Sequence, residues 1–418
     1  MSENFDLRSR SYLQSLVWGL IAGLISALGA FVFLGLMNFG LALVWPNPPG
    51  WEPFSGSWTI VVIMTAAGFL VGLIHRFTPA AELDVFEAVD KGRLDPKPVP
   101  SSLLASLISL IGGFSLGPEV PSGMLAAGFG TWLSERRVMD PETTRTNVLA
   151  SVSAAYSGLF SSPLALIVML LESSHVQNIA YYGPLFISGL AAAIGFSLFF
   201  FLGGETFSPL LGLVQPPEYD LHVWDVGMGV VFGILAIPVA VIFGLLYKLI
   251  STLVAPLNSR PIIRGTLGGL LLGLLGMALP ITLFLGTEGL AETTSQAAEI
   301  GFGLLILFAL AKMLALSGAL SFGFIGGPIF PMLFVGATLG SAVNLLFPQI
   351  PLGLAVGCLM AAVPAAIVPI PVALAIIVIV VVGLSPMNTI PVILASLTSF
   401  AVARGLGLFA GSAENKQD

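Results

Sequence analysis

The chain has 418 residues, 56% hydrophobic and 9% charged, with a formal net charge of −7 and a mean hydropathy of +1.00. Soluble domains carry roughly a quarter charged residues, so this chain has too little polar surface to cover itself in water and reads as an integral membrane protein. There is no basic patch with interleaved aromatics to bind nucleic acid. The single cysteine, Cys358, allows no intrachain disulfide, and His75, His175 and His222 stand far apart, so neither a metal nor a cofactor is implied.

Taken in chain order, residues 1–12 form a polar N-terminal segment whose Arg8 and Arg10 favour a cytoplasmic N-terminus. The apolar run that follows continues to about residue 45 without a small-residue cleavage pattern, so it is not a signal peptide. Further apolar segments fall at 57–75, 101–116, 120–134, 147–171, 180–203, 223–254, 262–285, 300–321, 329–347, 351–368, 370–384 and 388–403. A full span needs ~20 apolar residues, and several of these are shorter or are cut by Gly and Pro. Polar breaks stand at 76–100, 135–146, 204–222, 255–264 and 286–299, the third holding Pro209, Pro216 and Pro217. The tail at 405–418 is too short for a regulatory domain.

The two halves resemble each other. Gly117-Pro118-Glu119-Val120-Pro121 matches Gly327-Pro328-Ile329-Phe330-Pro331 at an offset of 210 residues, and Pro163-Leu164-Ala165-Leu166 matches Pro371-Val372-Ala373-Leu374 at 208. The pattern predicts an all-α polytopic protein of two related repeats, 13–203 and 223–404, joined by the linker 204–222. Inverted repeats with short, broken helices are the commoner transporter design.

Each Gly-Pro pair interrupts an apolar run, and a helix-competent run resumes at once. Proline suits the first turn of a helix, so each element reads as a helix start inside the membrane; the alternative is a pair of ordinary proline kinks. A helix start presents N–H groups and a partial positive charge, and two of them make an anion site without basic side chains. That fits a chain in which Lys312 is the one clear basic residue within an apolar segment. Glu119 is costly in such a stretch and is a functional candidate by default. Ionised, it occupies an anion site; protonated, it vacates it. The competing reading is a helix-capping acid near the surface.

These residues resemble the CLC chloride channels and chloride/proton exchangers. Leu116-Gly117-Pro118-Glu119-Val120-Pro121 is similar to the family's G-[RK]-E-G-P element. Gly326-Gly327-Pro328-Ile329-Phe330-Pro331 resembles its G-x-F-x-P element, and Phe160-Ser161-Ser162-Pro163-Leu164-Ala165 followed by Glu172 resembles F-N-A-P-L-A…E. The resemblance implies an inverted-repeat homodimer in a plasma (inner) membrane with one ion pathway per subunit. It makes Glu119 the gating residue and places Gly117, Val120, Gly327, Ile329 and Phe330 along the anion path.

The match departs from the family in four places. An ungapped reading puts Asp84 where the family has an anion-coordinating serine, although Asp84 with Glu87 three residues on also fits a helix-capping pattern. Pro328 lacks an N–H. No tyrosine follows Tyr247, so the family's terminal tyrosine is replaced by nothing nearer than Phe409, which cannot donate. Ser173 stands where many exchangers carry an inner proton-relay glutamate, with Glu172 as the neighbouring substitute. The resulting expectation is a CLC-like transport protein for chloride or a similar anion, as a channel or proton-coupled, gated by Glu119. A cation or proton-coupled carrier using Asp84 and Glu119 is the alternative. With no nucleophile–base set, metal cluster or phosphate loop, an enzyme is not implied.

Overall fold

The computed structural model describes residues 10–173, 182–204 and 213–408. Arg8, His175, Pro209 and Phe409 lie outside the described residues. Among those described, seventeen α-helices and no strand are found. In the first half these are α1 (Arg10–Val44), α2 (Trp58–Phe77), α3 (Val85–Lys91), α4 (Val99–Ile111), α5 (Glu119–Arg136), α6 (Pro141–Leu159), α7 (Pro163–Ser173) and α8 (Tyr182–Gly203). The second half holds α9 (Val223–Val254), α10 (Pro261–Ala278), α11 (Thr287–Ser295), α12 (Ala297–Ile300), α13 (Phe302–Phe322) and α14 (Ile329–Leu346), then α15 (Leu352–Ala365), α16 (Pro371–Val382) and α17 (Thr389–Gly405). Eight of the described helices are long and apolar enough to cross a membrane. By contrast α4, α7, α15 and α16 have only 13, 11, 14 and 12 residues, short of the ~20 a span requires.

The order of elements repeats. Long α1 and α9 lead, α2 and α10 follow, α5 and α14 start at the Gly-Pro elements, short α7 and α16 begin at a proline, and α8 and α17 close each half. Three segments differ from the sequence reading. The run 147–171 is broken into α6 and α7, because Ser161 takes a left-handed backbone (φ 53°) and the Ser162 hydroxyl accepts from Ala165 N at 3.2 Å, capping a new helix ahead of Pro163. The polar breaks 76–100 and 286–299 contain the short helices α3, α11 and α12.

Contacts divide the chain into two compact units that interleave in sequence. The first comprises Met1–Gly40, Phe77–Leu107 and Pro118–Leu210, the second Leu41–Arg76, Ile108–Gly117 and Leu211–Asp418. Within the first unit α6 packs on α8, α5 and α7, and α3 lies on α5 and α6. The second unit repeats the pattern, with α15 packing on α17, α14 and α16. Glycine permits the closest approaches. A Cβ on Gly68 of α2 would collide with the Gly265 carbonyl of α10, and one on Gly265 with the Gly68 carbonyl. Without a hydrophobic drive between helices in lipid, such small-residue contacts supply the packing.

Candidate functional site

The second unit holds the junction that precedes both helix starts. Gly117 N donates to Gly327 O and Gly327 N to Gly117 O, each at 2.8 Å, an antiparallel bridge. Three residues before each glycine lies a fully buried phenylalanine, and Phe114 and Phe324 stack with ring centroids 3.6 Å apart and planes at 20°. The partners in both pairs are separated by the same 210 positions that align the two repeats. Equivalent residues that meet antiparallel and exchange identical bonds define a local two-fold relation, the signature of an inverted repeat.

A chain of contacts fixes the first of these segments. Gly113 has φ 88°, a conformation that suits glycine, and its carbonyl accepts from Phe284 N at 3.1 Å. Trp45 Nε1 donates to Ile111 O at 2.8 Å, and the Trp45 ring meets Phe284 edge-on at 5.1 Å. Beneath Phe284 lies Lys312 of α13, fully buried. Its ammonium donates to the carbonyls of Thr282, Leu283 and Phe284 at 3.3, 2.8 and 2.9 Å and lies 5.4 Å from the centroid of the Phe334 ring. Lys312 thus holds the backbone that in turn holds Gly113.

Also in the second unit, Ile329 and Phe330 are the first two residues of α14, and both are buried. Pro328 is the N-cap, with no side-chain capping bond. The positive end of the α14 dipole therefore lies at Ile329, beside the Gly117–Gly327 bridge in sequence.

In the first unit Glu119 is the first residue of α5 and is only 2% exposed. Pro118 is its N-cap, again without a side-chain cap, and Val120 follows in the same turn. The backbone carbonyl of Glu119 accepts from the Tyr156 hydroxyl of α6 at 2.7 Å. One turn on, a Cβ at Gly123 would run into that hydroxyl and lie 2.6 Å from Val85 Cγ1, so glycine there admits both α3 and α6. Asp84 is the N-cap of α3 and is exposed; its Oδ1 accepts from Phe86 N at 2.9 Å and Glu87 N at 3.1 Å. Both bonds satisfy first-turn N–H groups of α3, the role of a helix cap. Nearby Glu82 is exposed yet closely surrounded, and desolvation together with the charge of Asp84 pushes its carboxyl up to about 7. Glu172 and Ser173 end α7, where the buried Ser173 hydroxyl donates back to Met169 O at 2.7 Å.

Of the residues singled out from sequence, the structure brings Gly117 and Gly327 into direct contact and puts Glu119, Val120, Ile329 and Phe330 in first helical turns. Two features escaped that reading. The Phe114–Phe324 stack was signalled by an identical Phe-x-x-Gly-Pro spacing in both halves. Tyr156 carried no signal beyond being an aromatic in a Ser- and Ala-rich run. Among the described residues, no group of three or more His, Cys, Asp or Glu could hold a metal.

The family model for voltage gated chloride channels (CLC) matches residues 66–404. The chain belongs to the CLC family. YfeO of Salmonella newport (strain SL254), a relative named for ion transport, is 30% identical over 368 residues, covering 85% of this chain and 86% of its own. YfeO of Salmonella paratyphi A is 29% identical over 367 residues with the same coverage. Among solved structures, a slow cyanobacterial Cl−/H+ antiporter has a TM-score of 0.76 at 21% identity, covering 94% of this chain and 95% of its own. A CLC-type fluoride/proton antiporter has a TM-score of 0.77 at 19% identity, covering 95% and 97%. The chain therefore has the CLC fold and is a CLC-like membrane ion-transport protein.

Proposed function

We propose that this CLC protein carries chloride, fluoride or a similar small anion across the membrane, as a channel or in exchange for protons, with Glu119 as the titratable gate. The observation that carries the reading is a buried carboxyl on the first residue of α5, two residues beyond the Gly117–Gly327 bridge. A carboxylate at the positive end of a helix is the side chain best placed to substitute for a bound anion. Gly117, Val120, Gly327, Ile329 and Phe330 are assigned to the anion path, and Glu172 with Ser173 to a proton route. The repeats 13–203 and 223–404, joined by 204–222, are taken to form one ion pathway in each subunit of a homodimer, in a plasma (inner) membrane with a cytoplasmic N-terminus. The CLC family comprises transporters and channels, and no enzyme activity is assigned.

Purified protein in liposomes tests the reading. Chloride and fluoride uptake that responds to pH, and that Glu119→Gln releases from pH, supports it. Anion-independent cation uptake lost in Asp84→Ala would overturn it in favour of a carrier built on Asp84 and Glu119. The carboxylate of Asp84 already serves as the cap of α3, which favours the anion reading.

A further inference from the structure

Within the second unit, away from the Gly-Pro elements, lies a cavity of about 200 Å³ lined by Val71, Gly72, His75, Pro261, Arg264 and Phe322, with Asn258 and Gly265 completing it. It opens where α2 ends and α10 begins, at the polar border of the apolar spans. Pockets for drug-sized ligands run roughly 300–1,000 Å³, so this one suits a single compact group.

Its chemistry is that of an anion site. Arg264 is half-buried, and its Nε and Nη2 donate to Ser321 O, with Nε at 3.2 Å, which fixes the guanidinium as a plane. The fork has five N–H groups, and these bonds leave Nη1 for another acceptor. His75 Nε2 lies 2.9 Å from Gly323 O, so the ring is held in place too. Asn258, exposed at the rim, adds an amide donor. The 18-residue α10 starts at this cavity with no side-chain cap, so its positive end is directed there.

The three chain segments that line the cavity carry no acid of their own. Residues 58–77, 226–278 and 302–322 contain no Asp or Glu, while Arg76 and Arg260 add two exposed cations beside the lining residues. In a chain of net charge −7 this is a local positive island. Arginine with a planar fork at a helix start is the arrangement that recognises phosphate oxygens.

We propose that this cavity binds a phosphate group, presented by an anionic lipid headgroup or as free phosphate, and so ties the α2–α10 pair to the membrane border or to phosphate in solution. The proposal is independent of which ion the protein transports.

Thermal unfolding of the full chain in detergent tests it, titrated separately with dioctanoyl phosphatidylglycerol and with inorganic phosphate. Dioctanoylglycerol, which lacks the phosphate, and sodium gluconate at equal ionic strength serve as controls, with chloride held constant throughout. The expected result is a saturable rise of about 2 °C or more with one or both phosphate sources and none with the controls. A rise with phosphatidylglycerol alone assigns the site to lipid; a rise with inorganic phosphate assigns it to the free anion. Arg264→Gln and Asn258→Asp should each weaken that binding roughly tenfold. Asn258 is exposed, so Asn258→Asp decides the matter should Arg264→Gln fail to fold. No saturable rise with either source, or an unchanged affinity in Asn258→Asp, overturns the proposal.

Discussion

The starts of α5 and α14 are built to one plan and differ in one chemical respect. Each follows a Phe-x-x-Gly-Pro segment, takes a proline as N-cap, carries another proline at its third position and runs for 18 residues. At the first position, however, α5 has Glu119 and α14 has Ile329, and α14 contains no charged residue at all. The neighbours differ as well. The hydroxyl of Tyr156 anchors the carbonyl of Glu119, and Gly123, which makes room for that hydroxyl, has Leu333 as its repeat equivalent. The repeat thus has two helix starts with the same dipole, and only α5 carries a carboxyl at its first position. The geometry is shared; the titratable group is not.

The largest expected effect tests the shared part. Phe114→Ala and Phe324→Ala should each cost about 3–5 kcal/mol, as buried aromatics do, and the double variant should cost less than the sum because the rings contact each other. Melting temperatures of the three variants check this; costs that differ strongly between the two positions would mean that the repeats are not mechanically equivalent. Next comes the unshared part. Two pH units above the midpoint of a carboxyl gate only about 1% of the groups carry a proton, so Glu119→Gln should carry anions up to about 100-fold faster there. Flux that stays pH-dependent in this variant removes Glu119 from the gate. Tyr156→Phe leaves the Glu119 carbonyl without this donor and should cost about 1 kcal/mol, measurable as a shift in unfolding midpoint together with a shifted pH–flux curve.

Smaller effects attend the elements around the first helix start. Asp84→Ala should cost about 1 kcal/mol through loss of the cap of α3, while Asp84→Asn, still a good cap, should be close to neutral. Anion flux per folded protein should survive both, which separates a capping role from ion coordination. The smallest concerns Glu82. Its carboxyl is raised by desolvation and by Asp84, so the folded state holds the proton more tightly than the unfolded chain. The stability this contributes is fully present below the usual carboxylate range and is lost as pH rises through about 7. Glu82→Gln should flatten stability across that window in pH-dependent melting; an unchanged slope would show that the folded protein does not hold the proton preferentially.

Much of the fold was legible in the residues. The apolar run 223–254 coincides with α9, and most other runs lie within a few residues of a helix, because segment hydrophobicity in a membrane protein is set by the solvent rather than by neighbours. The division of 147–171 was not legible, since it depends on Ser161 adopting a left-handed turn. Nor were α3, α11 and α12, which are too short and polar to register as periodic runs.

The sequence by itself determined that the chain lives in a membrane and that it is a repeat, and it pointed to helix starts at the two Gly-Pro elements, of which only the first carries an acid. All of these follow from composition and local covalent constraint. Only the tertiary structure decided that Gly117 bonds to Gly327 across the repeat, that Phe114 stacks on Phe324, that Tyr156 secures Glu119, and that Lys312 holds three carbonyls. Those pairings join residues far apart in the chain, and no local preference encodes them. The hydrogen-bonded ones form because polar groups removed from water must find partners within the protein, and the Phe114–Phe324 pair forms by close packing of aromatic faces.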